Sequence, residues 1–104
     1  MAIPRYGSNA EGNSLDNFSE SYTGSATWDA GSIADGDEEA KEITVLGASL
    51  GDFVLVSSSV DAADLVLNAQ VTAADTVTAI LANNTGGAVD LASATVSALV
   101  IKKQ

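Results

Sequence analysis

Carboxylates are the one chemically active group this sequence has in quantity. There are 14 Asp and Glu against 4 Lys and Arg, with no His and no Cys, for a net charge of −10. Without His, the commonest general base and transition-metal ligand is missing. Without Cys there is no thiol nucleophile, thiolate metal site or disulfide. Two carboxylates facing each other across a pocket could hydrolyse a glycoside. No spacing in the chain fixes such a pair, so no enzymatic activity and no cofactor is expected. Asp35, Asp37 and Glu39 alternate around Gly36, as ligands of a calcium loop do. The run is too short for an EF-hand and lacks its closing Glu. It reads as a solvated acidic loop. Trp28 beside Asp29, or Tyr22, has the make-up of a sugar-stacking site.

The same charge argues against two classes of partner. Arg5, Lys41, Lys102 and Lys103 form no patch that would hold nucleic acid. An anionic membrane surface is disfavoured too. No apolar run approaches the roughly 20 residues needed to cross a bilayer. The first residues carry no apolar leader segment, and synthesis in a cytoplasm is expected.

The elements that position these residues divide into two parts. Residues 1–25 are rich in Gly, Ser, Asn, Asp and Glu and show neither strand nor helix periodicity, as in an extended arm. Yet Tyr6, Phe18, Tyr22 and Trp28 are four of the five aromatics in the chain. Aromatics spaced along a polar segment anchor without a local core, so the arm is expected to dock on a neighbouring subunit. Residues 26–104 read as the folded domain.

Its centre is expected at residues 43–58, a hairpin made of a strand, a tight corner and a strand. Gly47 and Gly51 punctuate the corner, and Asp52 is placed to bond back to the turn backbone. Phe53-Val54-Leu55-Val56 fits a central strand buried on both faces. A short strand over residues 26–29 precedes it, with Trp28 capping one end of the core. After it, Leu65, Leu67, Ala69 and Val71 alternate with more polar residues, the cleanest strand pattern in the chain. Ala73-Ala74-Asp75 turns into a strand with Val77, Ala79 and Leu81 on one face. Asn83-Asn84-Thr85-Gly86-Gly87 is the strongest turn signal. The last strand, residues 95–101, sets Val96, Ala98 and Val100 on one face. Lys102 and Lys103 follow as an exposed end.

Six to eight short strands at spacings near ten residues predict an all-β fold, a small antiparallel β-sandwich with an extended N-terminal arm. Aromatics make up only 5% of the chain, so the core is thin and assembly is expected to add stability. Ile80, Leu99 and Ile101 fall on the outward faces of their strands. Apolar residues there predict a patch that a subunit covers.

Several segments carry a resemblance. They are residues 26–29 (ATWD), 32–36 (SIADG), 47–57 (GASLGDFVLVS), 71–78 (VTAADTVT), 83–93 (NNTGGAVDLAS) and the alternating strand 95–101. Together they resemble a group of small β-sandwich proteins encoded by tailed bacteriophages, over about three quarters of the chain. The resemblance lies in turns and strand edges, not in a catalytic motif. It implies a virion structural protein on the capsid exterior: a head decoration, or cement, protein bound to the major capsid protein, as a homotrimer. A tail or fibre component with a carbohydrate-binding role is the alternative. In that group the last strand alternates apolar with charged residues. Leu99 and Ile101 stand here at the charged positions, which implies a buried oligomer face. The expected interface residues are thus Tyr6, Phe18, Tyr22, Trp28, Ile80, Leu99 and Ile101.

Overall fold

Residues 20–103 are described by a computed structural model of the chain. Among them lie eight strands and no helix. They are β1 (Ser21–Trp28), β2 (Gly31–Ile33), β3 (Glu38–Thr44), β4 (Phe53–Ser58), β5 (Val66–Ala73), β6 (Thr76–Ala82), β7 (Val89–Leu91) and β8 (Ala94–Ile101). Sheet I has the order β1-β8-β4 and sheet II the order β3-β6-β5, while β2 and β7 pair by themselves. Every pairing is antiparallel. The expected sandwich is the observed fold.

Alternation makes the core. Val96, Ala98 and Val100 of β8 meet Val77, Ala79 and Leu81 of β6, with Ile43, Val45 and Val71 closing around them. These side chains are at most 5% exposed. Because successive side chains in a strand point to opposite faces, each central strand contributes one buried and one outward row. β6 and β8 are the two strands paired on both sides, so their inward rows are the most completely enclosed.

Three sequence expectations need correction. The first strand begins at Ser21, not at residue 26, so the last part of the expected arm is sheet. Ser21, Thr23, Ser25 and Thr27 alternate with Tyr22, Gly24, Ala26 and Trp28, but small residues on both faces hide the period. The run Phe53-Val54-Leu55-Val56 is an edge strand, not a central one: Phe53 is 60% and Leu55 61% exposed. Four consecutive apolar residues suit burial on both faces, and suit equally an edge strand whose outer side is apolar. The two strands flanking the 45–52 corner do not form a hairpin. β3 belongs to sheet II and β4 to sheet I, so the corner carries the chain from one sheet to the other.

Gly24 makes the approach of the two sheets possible along that flank. A β-carbon at this position would fall on the carbonyl oxygen of Thr44 and lie 2.9 Å from Val45 Cγ2. Only glycine lets β1 run this close to the end of β3.

Candidate functional site

Two ends and two outer faces are available for chemistry. The corner end is a latch. Asp52 accepts the Ser49 N–H at 2.9 Å and the Lys103 N–H at 3.1 Å. Its Oδ2 also takes the Lys102 ammonium at 2.9 Å. Lys102 Nζ further donates to the Gly47 carbonyl and to Ser49 Oγ, each at 3.2 Å. From sheet II, Asp75 accepts the Gly47 N–H at 2.9 Å. The Val45 N–H donates to the Asp75 carbonyl, and the Asp75 N–H to that of Ala48, both at 2.9 Å. Gly47 has φ +98°, a conformation side chains rarely adopt. The Asp52 bond to the corner backbone was legible in the sequence. The partnership of Lys102 was not, because nothing local announces a contact 50 residues away.

The Asp52 side chain is 4% exposed and that of Lys102 22%. The Lys102 hydrogen bond, then the Lys103 and Ser49 N–H groups, hold the Asp52 carboxyl below the usual carboxylate range. Asp52 in turn raises the Lys102 ammonium. A carboxyl depressed in the folded state stabilises the fold above its unfolded pKa, about 3.9, and that contribution fades as pH falls through the folded value. Lys102, raised, contributes below its unfolded pKa of about 10.4 and loses the contribution in more alkaline solution. Thermal melts from pH 7 down to pH 2.5 should therefore show an acid loss of stability below about pH 4 that Asp52→Asn reduces. Parallel curves for the two proteins would remove the latch from the account.

The opposite end is organised by Asn83, fully buried. Its Nδ2 donates to the Ile33 carbonyl at 2.7 Å and to the Gly87 carbonyl at 2.8 Å. Its Oδ1 accepts the Thr85 N–H at 2.9 Å and the Thr85 hydroxyl at 2.8 Å. Its backbone clamps the acidic loop: Gly36 N–H donates to Asn83 O at 2.7 Å, and Asn83 N–H to Asp37 O at 3.0 Å. In that loop Asp35 accepts the Gly86 N–H and Asp37 the Glu38 N–H. Those carboxylates close turns. Among the described residues no three His, Cys, Asp or Glu side chains gather as a metal site. The sequence marked residues 83–87 as a turn but gave no sign that its first Asn is a buried hub.

The outer faces differ in charge. On sheet II the outward rows include Glu38 beside Ala82 and Glu42 beside Thr78, with Ile80 between Ala40 and Asn68. On sheet I they run Ser21–Ile101–Phe53, Thr23–Leu99–Leu55, Ser25–Ser97–Ser57 and Thr27–Thr95. No residue in those rows is charged, although the chain carries −10. Phe53, Leu55, Leu99 and Ile101 form an apolar ridge over β4 and β8. Beside it lies a shallow groove of about 280 Å3, with Thr23, Ser25, Ser97 and Leu99 at its sides and the backbone of Gly24 and Ala98 below.

The expected interface residues therefore separate. Leu99 and Ile101 stand together on the outer face of sheet I, half-buried by their neighbours. Ile80 lies on the outer face of sheet II, the far side of the sandwich, and cannot share their patch. Trp28 is 8% exposed and belongs to the core. It caps one end of it and offers no open face for a sugar or a neighbour. Tyr22 is 37% exposed and lies against Gly47, where a β-carbon would stand 3.0 Å from the ring. Tyr6 and Phe18 lie outside the described residues. Phe53 and Leu55 are the interface candidates that sequence reasoning missed. Their alternation with Val54 and Val56 was visible, but a run without polar residues hides which side faces solvent.

Comparison of the chain with protein-family models, with curated proteins and with solved structures finds no match.

Proposed function

We propose that this chain is a head decoration protein of a tailed bacteriophage. It binds the outer capsid surface and stabilises the lattice by bridging major capsid subunits. Its partners are the major capsid protein and further copies of itself. The supporting observation is the polarity of the sandwich. One outer face is free of charge and carries an apolar ridge on a chain of net charge −10. Ser21, where β1 begins, pairs with Ile101 of that ridge.

The division of labour follows. The outer face of sheet I holds copies together, and residues 1–19, with Tyr6 and Phe18, reach the capsid. Fully burying one large apolar side chain is worth about 1.5–3 kcal/mol. Many weak attachments repeated over a lattice add up through avidity. The acidic loops and the outer face of sheet II remain towards solvent, so that decorated particles repel one another.

Because β1 starts at Ser21, removal of residues 1–19 leaves every strand among the described residues uncut. The truncated protein should keep its far-ultraviolet spectrum and its melting temperature, and lose binding to heads stripped of it. Undiminished binding would show that the attachment lies in the sandwich.

A further inference from the structure

The outer face of sheet I has two shapes side by side. The ridge is built on β4 and on the Ile101 end of β8. The groove lies on the β1 side of β8, beside Leu99. A face with a ridge on one flank and a groove on the other is complementary to itself under a two-fold rotation. The axis must lie along β8, in the plane of contact. That rotation exchanges the flanks, so the β4 ridge of each copy meets the β1 groove of the other.

We propose that two copies of this chain pack face to face through sheet I, as a two-fold dimer. The inference rests on the reading of this face as a self-contact and adds its geometry. Leu55 of each copy enters the partner's groove, over Thr23 and Ser97. Leu99 and Ile101 lie near the axis and meet their own counterparts. Two sheets packed this way sit about 10 Å apart with strands within about 30° of each other. The serine and threonine hydroxyls at the other end of the face exchange hydrogen bonds or keep their water.

Charge selects the occupant. A second copy brings −10 with it, and most surfaces of this protein would repel it. The rows of sheet I contain no charge, so two of these faces meet without like-charge contacts. A basic partner would gain nothing there, because nothing on the face attracts it. Area sets the strength. Three strands at about 4.8 Å spacing and eight residues at about 3.3 Å give a face of roughly 14 by 26 Å. Two such faces have a flat area of roughly 730 Å2 together, well below the range of about 1,200–2,000 Å2 for stable interfaces. A dimer that forms and dissociates with concentration follows. The resemblance implies a trimer; the self-complementary face makes a pair.

Sedimentation equilibrium of the full chain tests this. A species of twice the 10.4 kDa chain mass should appear in the micromolar range. Leu55→Glu, which alters a 61% exposed side chain, should raise the dissociation constant at least about 100-fold, since it sets a charge into each groove. Ser25→Arg, in the groove wall, should do the same from the other side of the contact. Ile80→Ser, on the far sheet, should leave it unchanged. A chain that stays monomeric to millimolar concentration, a trimer, or a dimer indifferent to both Leu55→Glu and Ser25→Arg would overturn the proposal. Binding to stripped heads is scored separately. A monomer that still decorates heads removes the dimer and leaves the decoration reading. A dimer that ignores heads does the reverse.

Discussion

Gly24→Ala should cost about 3 kcal/mol or prevent folding, as overpacking against an unyielding neighbour does. The added methyl meets the carbonyl of Thr44 and, at 2.9 Å, Val45 Cγ2. Neither can retreat cheaply. Thr44 is paired with Thr76 at the end of β3, and Val45 is fully buried with its N–H bound to Asp75. Moving β1 instead would disturb its register with β8, which runs unbroken from Ser21 to Trp28. For a domain of this size each kcal/mol shifts the melting temperature by about 4–8 °C. A fall of about 12–24 °C is therefore expected. A melting temperature within a few degrees of the parent would show that the two sheets are not held this close.

Asn83→Ala should be of similar size, about 3 kcal/mol, by another mechanism. The substitution leaves the Ile33 carbonyl and the Thr85 N–H without their side-chain partner, while the Gly87 carbonyl keeps the Thr85 hydroxyl at 3.0 Å. Each buried polar group left unpaired costs about 1–3 kcal/mol, less where water can reach it. The Ile33 carbonyl is buried and the Thr85 N–H only partly so, and the sum is smaller than two full penalties. Asn83→Asp should be worse than alanine. It removes both donors, turns an N–H···O contact into a repulsion between oxygens, and buries a charge. Chemical denaturation of the two variants gives the order directly. Equal stability of parent and Asn83→Ala would mean that the hub contributes nothing.

These two positions also show what the sequence could and could not tell. The strands β5, β6 and β8 were legible because each alternates a buried aliphatic row with a more polar one. Leu65, Leu67, Ala69 and Val71 did so, as did Val77, Ala79 and Leu81. The sandwich followed from their number and spacing. Gly24 was illegible, because its reason lies in a backbone oxygen 20 residues away. Asn83 reads as a surface turn residue by type, and only the fold of residues 33–37 around it makes it a core residue. Charge placement was illegible as well. The composition reveals −10, but the neutrality of one face depends on which strands share a sheet.

The candidate interface was half legible. Leu99 and Ile101 were outward by alternation alone. Their true neighbours, Phe53 and Leu55, come from a strand that looked central and is an edge. Ile80 looked equivalent to them by the same alternation and lies on the opposite face, since strand parity says which side of a sheet a residue takes but not which sheet. Trp28 and Tyr22 drew attention as aromatics in a polar stretch. The structure spends the first on the core and rests the second on Gly47.

The decoration reading is tested most directly by adding the purified protein back to phage heads stripped of it and counting bound copies per particle. Saturable binding at many copies per head, set by the capsid lattice, is expected, with stripped heads regaining resistance to heat. Binding at a few copies confined to tails, or none to heads at saturating protein, would contradict it.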